Sequence, residues 1–332
     1  MKKRMLSLTL LLTLLLTACG GSTETQQSQA SSLLESAAGI EETTPLLTVD
    51  GREIPAWRYL YWLAETCAAI EEEYAEAGME VDWNAAAEGM TLKEYAKEQA
   101  LEATAVYAAV ENWGEAHHCM IAENPEAAVK FPANWELSDE QTDEMETVGL
   151  LYRELYRLFC TEGSTLAPDE KAVAAFAEKQ EWVGMEQIFI SAAENREEAK
   201  EQAVRWFAGL NAAEDPSAEF AAFAAEDDDP TGARTIRLGS ESLDQTLEAA
   251  LRGLETGQLS GILETEDGYH ILRRIQAEPA VFMEAFFDDA LRQAAEQAEI
   301  RCTQTYKDLD AKEFYAALLK GKRGETPKVS SD

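Results

Sequence analysis

Two hydrophobic periods divide this chain. Up to Phe159 apolar residues recur three and four apart, as in "METVGLLYRELYRLF" (145–159), where Val148, Leu151, Leu155, Leu158 and Phe159 share a helical face. From Met185 the texture changes to short strand-like runs: "MEQIFIS" (185–191) with Ile188 and Ile190 on one side, "TIRL" (235–238), and two strands flanking a turn at Asp267-Gly268. Helical stretches at 197–211, 216–226 and 242–255 separate them. The order β-α-α-β-α-β-β within about 90 residues is an α+β module and not a series of repeated βα units.

The first half reads as a helical body. An apolar stub and an Asp50-Gly51 turn lead into an amphipathic helix carrying Trp57, Leu60, Tyr61, Leu63 and Ala64. Thr91 with Glu94, and Ser138 with Gln141, have the spacing of capping boxes and open two further helices. Residues 46–164 are therefore expected to form an all-helical domain and 165–279 the α+β module. A last helical segment, 280–320, carries Phe282, Phe286, Leu291, Ile300 and Phe314, and 321–332 is expected to be a disordered tail.

The amino terminus has the layout of a secretory signal. Lys2, Lys3 and Arg4 precede an apolar run from Met5 to about Leu16, shorter than the roughly 20 residues a membrane-spanning helix needs. The Leu-Thr-Ala-Cys ending resembles a bacterial lipoprotein signal. It implies a signal peptide over 1–18, cleavage before Cys19 and lipidation of its thiol, which would anchor the chain to the extracytoplasmic face of the cell membrane. Residues 19–45, rich in Ser, Thr, Gln and Glu, are expected to be a flexible tether.

With 28 Lys+Arg against 63 Asp+Glu the net charge is −35, and loss of the three basic residues with the signal takes it to −38. Nucleic acid and anionic lipid are poor partners for such a chain. Beyond Cys19, four cysteines remain: Cys67, Cys119, Cys160 and Cys302. Export permits disulfides, but three pairings are open and the spacing selects none. "HHC" at 117–119 places adjacent side chains about 100° apart on a helix, and "EDDD" (226–229) lacks the alternating ligands of a calcium loop, so no metal is expected at either.

At "LETGQLSGILETEDGYHILRRI" (254–275) the module resembles the end of a parvulin-type peptidyl-prolyl cis–trans isomerase. Gly257, Leu259, Ser260, Thr265, Gly268, Tyr269, His270 and Ile271 fall on that family's pattern without a gap, and "AEFAAFAAEDDDP" is similar to an upstream segment of it. The resemblance covers about residues 183–276. The layout of the whole chain is similar to exported foldase lipoproteins, PrsA-like and SurA-like in arrangement. Those have a lipid anchor, a helical chaperone domain, a parvulin module and a C-terminal helix packed back on the helical domain.

The resemblance implies an activity without a cofactor. An X-Pro bond isomerises over tens to hundreds of seconds unaided. A dry pocket gripping the proline, with polar groups around the imide, lowers that barrier by favouring the twisted, less polar amide. Carried over by position, the resemblance implies His270 as the site histidine, with Asp229, or nearly as well Asp228, as the acidic group. Gln187 stands where the family has a second histidine and can hydrogen-bond His270 but cannot titrate. Leu243 and Leu247 stand at the proline-pocket positions, where the family has Met and Phe. Clients would be unfolded or newly secreted polypeptides. The departures leave two readings open, a weak isomerase and a catalytically degenerate parvulin-fold chaperone. A ligand-binding lipoprotein is a third, which the strand pattern fits poorly.

Overall fold

The computed structural model describes residues 32–121, 134–226, 232–240 and 243–324. The chain divides into two compact units. One takes in residues up to Ala167 together with Phe287 onward; the other is Pro168–Phe286.

The first unit begins earlier than the sequence suggests. Helix α1 (Leu33–Ala38) is capped by the Ser32 hydroxyl, which accepts from Glu35 N at 3.1 Å, and it buries Leu34. Residues 33–38, expected within the tether over 19–45, are therefore helical, because Leu33 and Leu34 supply apolar area that a helix can bury. Strands β1 (Pro45–Val49) and β2 (Arg52–Pro55) form a hairpin through Asp50 and Gly51, both at positive φ. Helix α2 (Ala56–Glu76) follows and is buried on every side from Ala56 to Ala64. A two-residue ladder, β3 (Ala86–Ala87) with β4 (Met90–Thr91), precedes α3 (Leu92–Ala116), and α4 (Asp139–Phe159) comes next. Both expected capping boxes form, Thr91 with Glu94 and Ser138 with Gln141.

The other end of the chain also departs from expectation. The expected helical segment 280–320 is broken into α9 (Met283–Gln297), β9 (Ile300–Cys302), α10 (Gln304–Asp308) and α11 (Ala311–Lys322). Strand β9 pairs antiparallel with β1, Leu47 opposite Cys302 and Val49 opposite Ile300, so the body expected to be all-helical contains a sheet of order β2-β1-β9. Helix α11 packs on α1 so closely that a Cβ on Gly321 would come within 2.6 Å of Leu33 Cδ1. Two of the residues expected in the tail, Gly321 and Lys322, are helical. Phe287 is fully buried among Trp113, Tyr152, Tyr156 and Phe159, with ring centroids 5.1–6.4 Å apart.

The second unit has the expected order. Helix α5 (Glu170–Lys179) leads to β5 (Trp182–Ser191), then α6 (Arg196–Ala212), α7 (Pro216–Ala224), β6 (Arg234–Arg237), α8 (Gln245–Gly253), β7 (Leu263–Glu264) and β8 (Gly268–Ile275). The strands form one antiparallel sheet of order β6-β5-β8-β7. Alternation sorts the side chains. Ile188, Ile190, Tyr269 and Ile271 pack with Ala199, Ala203, Leu210 and Phe220 of α6 and α7. Val183, Met185 and Leu272, on the opposite face, pack with Leu247 and Leu251 of α8 and with Leu238. At Gly268 a Cβ would lie 2.2 Å from Ile190 O, so only glycine lets β8 start against β5 at this register.

Candidate functional site

His270 is the third residue of β8 and points to the α8 face of the sheet, the face of Leu272 and Met185. Its register neighbour on β5 is Phe189, whose ring stacks on the imidazole at 4.8 Å with 26° between planes. The residue is 7% exposed. Its Nε2 lies 2.9 Å from Thr265 Oγ1, and the same hydroxyl lies 3.4 Å from Gly268 O. A hydroxyl can donate to or accept from a ring nitrogen, so this contact satisfies Nε2 in either tautomer. Nδ1 is buried and has no partner among the described residues. Leaving a buried polar atom bare costs about 1–3 kcal/mol in a folded protein.

Burial lowers the His270 pKa below its ordinary 6.5, and the carboxylates of Asp244 and Asp267 oppose that shift without cancelling it. Asp244 is the N-cap of α8, its Oδ1 accepting from Thr246 N at 2.7 Å. Those backbone hydrogen bonds, first from Thr246, hold its carboxyl below the usual range, with His270 as a lesser contribution. The imidazole is thus neutral at pH 7, polar, dry and flanked by fixed negative charge.

Other expected site residues are distributed unevenly. Gln187 shares the His270 face of β5, but its register neighbour is Leu272 and its Oε1 accepts from Arg234 Nη2 at 3.3 Å. It makes no hydrogen bond to His270, because Phe189 holds the position directly across from the histidine. Leu247 is 4% exposed and belongs to the apolar cluster under α8, against which Leu243 packs while partly exposed. Asp229, its alternative Asp228, and Cys19 lie outside the described residues. Among the described residues no group of His, Cys, Asp and Glu is arranged to hold a metal, and Cys67, Cys119, Cys160 and Cys302 are all free. His117 in particular bonds Thr165 through Nδ1 at 3.0 Å.

Three residues of this face go beyond the sequence reading. Thr265 lies on the parvulin pattern, and that position is the available signal for its contact with His270. Phe189 and Arg234 carry no local signal, since their places depend on pairing between strands far apart in sequence.

Residues 168–290 match the family model for the PPIC-type PPIASE domain. No curated protein matches the chain. Among solved structures, the foldase protein PrsA from Streptococcus pneumoniae is 15% identical, over 90% of this chain and 82% of that one, with a TM-score of 0.23. A peptidylprolyl isomerase (PrsA) from Bacillus anthracis is 16% identical over 65% and 89%, TM-score 0.23. A structure reported with the SurA-like chaperones of Campylobacter jejuni is 13% identical over 87% and 100%, TM-score 0.25. Likeness at that level supports no conclusion about the site. No described helix is long and apolar enough to cross a membrane.

Proposed function

The chain carries a PPIC-type PPIASE domain over residues 168–290, and from that premise we propose a foldase that isomerises X-Pro bonds in unfolded clients. The observation that carries this reading is His270: neutral, almost fully buried, and with a buried, unpaired Nδ1 on the face it shares with Leu243, Leu247 and Phe189. A proline held against that apolar face would leave water, and the imide would lose less by twisting, since the twisted amide is the less polar form. His270 supplies the fixed polar group beside it, and Thr265 orients the ring. Asp229, at the acidic position, and Gln187 complete the proposed polar set, with Gln187 acting through Arg234 instead of through the histidine. Export and anchoring through Cys19 belong to this reading and rest on the amino-terminal signal.

A specific pair of observations favours a second reading, a client-binding chaperone without catalysis. Gln187 is turned to Arg234, and Leu247 is spent on the core under α8. The two readings separate in one experiment. Exchange NMR on an Ala-Pro-Phe peptide, run beside an aggregation assay on an unfolded client, should show isomerisation that falls about tenfold in His270→Ala, as the loss of one hydrogen bond worth ~1.4 kcal/mol would give. Thr265→Val should lower it less. Wild-type protein that suppresses aggregation but leaves the peptide at its uncatalysed rate would establish the chaperone reading and remove the enzymatic one.

A further inference from the structure

Arg234 is the first residue of β6, in register with Met185, and so sits on the His270 face of the sheet. Its neighbours are neutral: Gln187 Oε1 at 3.3 Å and Met185 Sδ at 3.9 Å from Nη2. Its Nε is buried and has no hydrogen-bond partner among the described residues. No carboxylate among them pairs with it, in a chain where acidic residues outnumber basic ones 63 to 28. Other arginines of this unit are satisfied. Arg196, Arg252 and Arg273 pair with Glu264, Glu248 and Glu186, and Arg274 donates to the carbonyls of Leu251 and Leu254. A half-buried guanidinium whose Nε is unpaired and a histidine whose Nδ1 is unpaired thus share the face assigned to the client, on the two strands flanking β5 and four register positions apart.

We propose that Arg234 is a specificity-determining residue that receives a client carboxylate, so that the preferred substrate carries Asp or Glu one or two residues from the proline. The inference rests on the reading of this face as a prolyl site. Guanidinium binds carboxylate through paired N–H donors, and partial burial strengthens the contact relative to one in water. The offset follows from the strand. Gln187, which Arg234 touches, and Phe189, which faces His270, are two positions apart on β5. An extended client rises about 3.3 Å per residue, so a side chain one or two positions from the proline spans the same distance. The carboxylates that act on the histidine, Asp244 and Asp267, belong to the start of α8 and the β8 turn, and Arg274, the other arginine on this face, is engaged by the carbonyls of Leu251 and Leu254.

The test uses the full chain and peptides differing only by Glu or Gln, placed at either of the two positions before or after the proline, with Kd from NMR titration and turnover from exchange. At one of these positions Glu is expected to bind about tenfold more tightly than Gln, ~1.4 kcal/mol. That preference should shrink as salt rises, fall close to unity in both Arg234→Met and Arg234→Gln, and survive in part in Arg234→Lys. Equal binding of Glu and Gln peptides at every position by the wild type, or a preference that persists in Arg234→Met, overturns the inference while the prolyl site stands. Failure of every peptide to bind overturns both. The wild-type comparison needs no variant to fold.

Discussion

His270 is a base whose charged form the fold disfavours, and the sign of that effect is testable. Its folded pKa is below the ordinary 6.5 because of burial, so between the two values the unfolded chain binds the extra proton and stability falls as pH drops. Above about pH 6.5 neither state is protonated there and the contribution is constant. Urea midpoints for residues 168–286 should therefore decline as pH is lowered through 6.5, and a His270→Gln variant should show a flatter profile over that window. A wild-type profile no steeper than that of the variant would mean that the histidine is hydrated in the native state. The histidine itself was legible from "DGYH", because a turn followed by an alternating strand fixes which side its neighbours face. Its surroundings were not. That Gln187 turns to Arg234 depends on β6 meeting β5 with Arg234 opposite Met185, a register set by residues about 50 apart and not by any local pattern.

Elements with strong periodicity and their own caps were readable, and those that exist only by pairing were not. Helices α3 and α4 announced themselves through Thr91 with Glu94 and Ser138 with Gln141. Strand β9 is three residues, Ile300–Cys302, set in amphipathic helical text, and it forms because β1 offers a free edge. The turn after it is secured by Lys97, whose Nζ donates to the carbonyls of Tyr306 at 3.0 Å and Leu309 at 2.7 Å and lies 4.8 Å from the Tyr306 ring centroid. Lys97→Met strips the carbonyls of their donor and should cost about 1–3 kcal/mol in denaturant titrations. Truncating the centre of the aromatic cluster is worse. Phe287→Ala empties a fully enclosed ring position and should cost about 3–5 kcal/mol. A loss near ~1 kcal/mol would mean that Trp113, Tyr152, Tyr156 and Phe159 can close over the gap.

On the scale of the whole molecule, the two units differ in how the chain builds them. Residues 168–286 form an uninterrupted unit with cores on both faces of its sheet, whereas the helical unit is made of two stretches from opposite ends of the chain. A fragment of residues 168–286 should therefore fold alone, showing cooperative unfolding and dispersed amide signals. A chain ended at Phe286 loses most of α9 together with β9, α10 and α11 and should leave α1, α2 and β1 poorly protected in hydrogen exchange. Full protection of α2 in that shortened chain would mean that the carboxy-terminal pieces decorate a unit already complete.

The pairing of β1 with β9 also sets a kinetic order. Leu47 and Cys302 close a ring of roughly 250 residues, and ring closure becomes entropically harder as the flexible contour lengthens, by about 0.6 kcal/mol per doubling. If the intervening segment condenses first, much of that contour is replaced by a rigid body and the two ends have less space to search. The inserted unit then acts as an internal splint for the helical unit, speeding its completion, and a destabilised insert should slow the folding of a body it forms no part of.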